Sequence, residues 1–122
     1  MKKHNFREIK IWQEALLLVK DVYSFSSQLP KEELYGITSQ INRSAVSIPS
    51  NIAEGSGRTS NKEFIRFLEI AIASSYELET QLILAEEIFG LSSKNIIENL
   101  NALQNRTGGF IRQIRLRIEN EK

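Results

Sequence analysis

The chain has 122 residues, 41% of them hydrophobic and 25% charged, with a formal net charge of +1. That composition excludes a disordered segment, and the length suits one domain with a single core. It holds no cysteine and one histidine, His4. Disulfides, thiolate metal sites and a Ser–His–Asp arrangement are therefore excluded, and neither a metal nor a cofactor is expected.

The first residues are basic, but no secretory core follows them: the longest nearby apolar run, Ala15 to Val19, closes at Lys20 and Asp21. A bilayer span needs about 20 apolar residues, so a cytoplasmic protein without membrane contact is expected. A first helix is predicted over 9–27, with Trp12, Leu16, Val19, Tyr23 and Ser26 on its seam.

Pro30 marks the start of a second helix over 31–55, because proline suits a first turn and Glu32 and Glu33 favour the positive end of the dipole. Its apolar register is Leu34, Thr38, Ile41, Ala45, Ile48 and Ile52. Beside it runs a polar register of Gln40, Ser44, Ser47, Asn51, Glu54 and Arg58. An apolar line next to a polar one predicts a helix packed into its own bundle that also faces something else. Pro49 removes a donor and predicts a bend, and Gly55 and Gly57 are expected to end the helix.

Ser60 and Glu63 have capping-box spacing and open a third helix over 60–90. Its heptad seam is Phe64, Leu68, Ala71, Ser75, Leu78, Leu82, Ala85 and Phe89, and Gly90 ends it. Ser92 or Ser93 caps a fourth helix over 93–119 whose seam is Ile96, Leu100, Leu103, Thr107, Phe110 and Ile114. Gly108-Gly109 is a weak point within it, marking a kink or a close approach. No stretch alternates with period two and the connections are short. The expected fold is all-α: one left-handed, up-down-up-down antiparallel four-helix bundle spanning residues 1–122.

This topology sorts charge by pole. At the pole holding the start of helix one and the end of helix four, eleven basic residues face six acidic ones, a local charge of +5. The opposite pole carries three basic residues against six acidic ones. A basic pole is an electrostatic footprint for RNA or DNA, and the residues expected to bind are Arg7, Lys10, Arg58, Lys62, Arg66, Arg112, Arg115 and Arg117. Phe6 and Trp12 are the only aromatics near the start, so base-specific reading is not expected.

Glu77 and Glu79 are two apart on a helix and do not converge, which speaks against paired-carboxylate catalysis. An Arg43–Glu77 ion pair is expected instead. Arg43, Ser47, Asn51, Glu54, Glu77 and Gln81 together read as a structural or inter-subunit polar seam. Gly55-Ser56-Gly57 follows no strand and precedes no Gly-Lys-Ser/Thr, so it is not a phosphate loop. No catalytic residue is assigned.

The run from Gly36 to Ala85, with its Ser-Ile-Pro-Ser-Asn-Ile-Ala-Glu-Gly segment at 47–55 and Ser75-Tyr-Glu-Leu-Glu-Thr-Gln-Leu82, resembles the bacterial four-helix-bundle family encoded in intervening sequences of large-subunit ribosomal RNA genes. Phe6 to Trp12 also resembles the family's opening. The resemblance implies an antiparallel bundle and a ring-like homopentamer. It is also similar to the accessory protein of diversity-generating retroelements, a pentamer that binds nucleic acid and a reverse transcriptase. Asn42-Arg43 stands where many relatives have two arginines, and Ser74-Ser75 where Gly-Ser is frequent. The expected function is a non-catalytic homo-oligomer that binds RNA or DNA without sequence readout. The alternative is a protein-interaction scaffold with no nucleic-acid role.

Overall fold

The computed structural model describes residues 5–120. A 3-10 turn over Phe6–Glu8 precedes four α-helices: α1 Lys10–Ser26, α2 Ile37–Ser56, α3 Asn61–Phe89 and α4 Lys94–Asn120. Packing runs α1 on α2, α2 on α3, α3 on α4 and α4 back on α1, with α2–α3 the most extensive. This is the all-α four-helix bundle expected from the periodicity.

The core holds one stripe from each helix. On α3 the heptad positions Phe64, Leu68, Ala71, Ser75, Leu78, Leu82 and Ala85 are all buried. On α2, Thr38, Ile41, Ala45, Ile48 and Ile52 are buried, and on α4 Leu100, Leu103, Thr107 and Ile114 are joined by Ile111. On α1 the buried stripe is Ile11, Ala15, Leu18, Val22 and Phe25. The expected α1 seam was therefore one register off. Of its members only Ser26 is buried, Trp12 and Val19 are half-buried, and Leu16 and Tyr23 are exposed. Trp12, Leu16 and Val19 form the edge of α1 that turns toward α2, where an apolar stripe wider than a single seam ends.

Both ends of α2 differ from expectation. Pro30 heads only a 3-10 turn, Lys31–Glu33, and α2 begins six residues later than predicted, at Ile37. The break falls at Gly36, whose backbone is non-helical (φ −110°, ψ −119°), and Glu33 Oε1 accepts the Ile37 N–H at 3.4 Å. That carboxylate oxygen lies 2.8 Å from where a Cβ on Gly36 would stand. Leu34, placed on the α2 seam by spacing, is left outside the helix and is exposed.

Gly55 does not end α2 but lies inside it. A Cβ there would come within 2.7 Å of Phe67 Cβ and 3.0 Å of Phe64 Cδ1, so the glycine permits close approach of α2 to α3. Gly90, by contrast, ends α3 in the left-handed region at φ 72°, as expected of a helix-terminating glycine. At the other boundary Ser60 Oγ accepts the Glu63 N–H at 3.2 Å and caps α3. Ser92 Oγ accepts the Lys94 N–H at 3.4 Å at the start of α4. α4 runs unbroken through Gly108 and Gly109, and nothing lies within 4 Å of a Cβ built on either. Neither glycine marks a close approach to another part of the described chain.

Candidate nucleic-acid interface

The starts of α1 and α3 and the ends of α2 and α4 share one pole, and cross-helix contacts fix the register there. Phe64, near the start of α3, packs edge-on against Phe110 of α4 with ring centroids 5.7 Å apart. Glu69 of α3 accepts from Arg115 of α4 at 3.1 Å, and Glu14 of α1 pairs with Arg106 of α4. Eight described basic residues gather at this pole: Arg7, Lys10, Arg58, Lys62, Arg66, Arg112, Arg115 and Arg117. Of the eleven basic and six acidic residues counted at this pole from the sequence, Lys2, Lys3, Glu121 and Lys122 lie outside the described residues.

Two of the eight are engaged by carboxylates: Arg58 with Glu54 at 3.2 Å and Arg115 with Glu69 at 3.1 Å. Both pairs are about half-exposed, the kind worth about 0–1 kcal/mol, so an incoming phosphate competes with them easily. The other six make no ion pair with a described carboxylate, and all six are exposed. Arg7 and Arg58 are oriented by aromatic faces, their guanidinium carbons 4.9 Å and 4.6 Å from the Phe6 and Phe67 ring centroids. At 1.5 Å rise per residue, Arg112 stands roughly 12 Å back from the end of α4, so the basic surface wraps from the tip onto the flanks.

One flank is concave. Between the start of α1 and the last third of α4 lies an open groove of about 830 Å³, lined in part by Ile9, Lys10, Ile11, Gly109, Phe110, Gln113 and Arg117. The Glu14–Arg106 pair forms part of its wall. Lys10 and Arg117 are thereby brought together across two helices, which linear spacing does not disclose.

The 23S rRNA-intervening sequence protein model matches residues 7–112, most of the chain. The chain belongs to that family. A solved structure from Bacteroides thetaiotaomicron VPI-5482, described as a protein of unknown function from the S23 ribosomal protein family, is similar in fold at a TM-score of 0.58. The two are 22% identical over 85% of this chain and 94% of that one. Among curated proteins none matches the chain. No helix among the described residues is long and apolar enough to cross a membrane.

Two residues of the polar register of α2, Ser44 and Ser47, bond to α3, while Asn51 bonds back to Ser47 and Glu54 pairs with Arg58. Ser44, 2% exposed, has its Oγ 2.7 Å from Glu77 Oε1 and 2.9 Å from Gln81 Oε1. One hydroxyl carries one proton; the set closes when Ser44 donates to Glu77 and the Gln81 amide, turned about its last bond, donates to Ser44. Ser47 and Ser74 share a hydrogen bond of 2.8 Å, and Asn51 Nδ2 donates to the Ser47 carbonyl at 2.8 Å. The expected Arg43–Glu77 pair does not form: Arg43 is exposed without an ion pair, and Ser44, the next residue, holds the carboxylate. Glu79 turns to α4 and accepts from Asn101 at 3.0 Å and Gln104 at 2.9 Å. The two carboxylates thus serve opposite neighbours and do not converge, as the two-residue spacing requires.

Sequence reasoning missed Gly109, Phe110 and Gln113 as residues of a surface groove. The signal was present in the glycine pair, which costs helix stability and for which no neighbour in the chain needs the room.

Proposed function

We propose that the protein is a non-catalytic cytoplasmic homo-oligomer whose basic pole binds RNA or DNA through phosphates, without reading sequence. The observation that carries this reading is the cluster of six exposed cations at one pole, free of described carboxylate partners: Arg7, Lys10, Lys62, Arg66, Arg112 and Arg117. Unpaired cations gathered on one surface gain most from counterion release. Electrophoretic shift of generic RNA and DNA at several salt concentrations tests it: binding must be present at low salt and fall steeply as salt rises. Absence of binding at low salt overturns it.

The oligomer rests on a separate observation. Two apolar surfaces are left uncovered. One lies on α3, where Ile70, Leu84 and Ile88 are exposed on the flank beside α2 and Tyr76 and Ile83 on the flank beside α4. The other is a shallow groove of about 470 Å³ between α1 and α2, lined by Trp12, Leu16, Val19, Val46, Pro49 and Ala53, with Lys20 at its edge. The α3 strip carries Glu87 between its apolar residues, so the two strips are complementary in charge. Different surfaces meeting head-to-tail generate rings rather than two-fold dimers. The pentamer implied by the family resemblance is the closure we favour. Light scattering of Ile83→Asp with Leu84→Asp should show the 14.0 kDa subunit where the unaltered protein shows a multiple of it. An unaltered protein that runs as a monomer defeats the ring.

The scaffold alternative assigned the polar register of α2 to a protein partner. Ser44 and Ser47 are hydrogen-bonded to α3 of the same chain, which favours the nucleic-acid reading over that one.

A further inference from the structure

The groove between α1 and α4 has a composition that a phosphate-binding surface alone does not need. Its lining sets the cations Lys10 and Arg117, with the Glu8 carboxylate and the Glu14–Arg106 pair, beside apolar surface from Ile9 and Phe110 and the exposed amide of Gln113. Its volume of about 830 Å³ falls in the range of small-ligand sites, about 300–1,000 Å³. Gly109 adds an independent observation. It sits mid-helix, where glycine is unfavourable, and no atom lies within 4 Å of the position its Cβ would take. The missing side chain relieves no clash in the chain; what it does is leave the groove open.

We infer that this groove takes one unpaired nucleobase of single-stranded nucleic acid, with the flanking phosphates on Lys10 and Arg117. This inference rests on the phosphate-binding reading of the basic pole and adds a substrate preference to it. The physical argument is complementarity of kind. A base presents a flat apolar face and a hydrogen-bonding edge, matching Ile9 and Phe110 on one hand and the Gln113 amide on the other. A duplex keeps those faces stacked inside and offers only phosphates and groove edges, so it cannot use the apolar lining. Any base has such a face, so the site favours single strands over duplexes without preferring a sequence.

Gly109 also supplies the test. Gly109→Leu projects a side chain into the groove at a position where nothing in the fold obstructs it, and replacing helical glycine should raise thermal stability. Gly109→Ala adds a methyl group too small to fill the space and serves as the matched control. Fluorescence anisotropy with a labelled oligouridylate and with a duplex of equal length would be measured at one salt concentration. Gly109→Leu should bind the oligouridylate about tenfold more weakly, while duplex affinity stays within about twofold; Gly109→Ala should bind both normally. If Gly109→Leu binds the oligouridylate as tightly as the unaltered protein, the groove assignment fails while the basic pole stands. If the unaltered protein binds neither probe, the basic-pole reading itself fails.

Discussion

Neutralising Lys62, Arg66 and Arg112 together, each to glutamine, tests whether the pole acts through counterion release. All three are exposed and none is engaged by a described carboxylate, so the substitutions should leave the fold intact, with stability changed by less than about 0.5 kcal/mol. Each phosphate neutralised on duplex DNA contributes about −0.9 to the slope of log K against log salt. Three lost contacts should flatten that slope by about 2.7. Each contact is then worth about 0.9 log units at 0.1 M salt relative to 1 M, so the triple variant should lose roughly 500-fold in affinity at 0.1 M and almost nothing near 1 M. The assay is a salt titration followed by anisotropy or filter retention, with melting curves confirming the fold. Lys31→Gln with Lys94→Gln at the opposite pole is the control and should leave the slope unchanged. An unchanged slope in the triple variant, or an equal loss in the control, refutes the reasoning.

Three further outcomes test the fold. Gly55→Ala places a methyl group 2.7 Å from Phe67 Cβ, within the rigid α2–α3 contact, and should cost about 1–3 kcal/mol in urea unfolding. Gly108→Ala meets nothing within 4 Å and should stabilise α4 by about 0.5–1 kcal/mol, read as a higher Tm. Ser44→Ala strips Glu77 and the buried Gln81 amide of their shared partner and should cost about 1–3 kcal/mol, more than Ser50→Ala on the exposed side of the same helix.

The sequence disclosed best what depends on local periodicity. The α3 heptad was legible because its large residues recur at heptad spacing and its ends carry their own signals, Ser60 and Gly90. The α1 seam was not, because Trp12, Leu16, Val19 and Tyr23 are as apolar as the true core line one residue earlier. Periodicity fixes a stripe's direction but not which edge of a wide stripe turns inward. The start of α2 differs because Pro30 opens only a 3-10 turn and Gly36 takes a non-helical backbone before the helix begins, a break that the apolar spacing through Leu34 does not disclose. Chain direction alone placed Arg7, Lys10, Arg58, Lys62, Arg66, Arg112, Arg115 and Arg117 toward one pole. Which of them carboxylates would hold, and that Lys10 and Arg117 would flank one groove, depended on how α4 is rotated against α1 and α3.

The burial pattern of α3 links the polar seam to the proposed ring. The line of α3 that meets α2 through Ser74, Glu77 and Gln81 continues at heptad spacing into Ile70, Leu84 and Ile88, which stay exposed, and Ile83 is exposed on the other flank of the helix. Satisfied buried polar groups set one axial register between two helices, since sliding by a turn would leave Ser44, Ser47 and their partners unpaired. Apolar residues left outside contribute nothing until another surface covers them. Because those strips run along the helices, a second copy that covers them lies side by side with the first, long axes roughly aligned. Cyclic symmetry relates every subunit by rotation about one axis, so copies joined this way all present the same pole to the same face of the ring. The six free cations of each subunit would then combine on that face, and a strand crossing it would engage several subunits at once. Affinity in such an arrangement rises through effective concentration, without any new contact. The subunit-separating Ile83→Asp with Leu84→Asp should therefore weaken binding of a long strand far more than binding of a short one, even though it removes no cation. Equal weakening of both lengths would break the connection between the two surfaces.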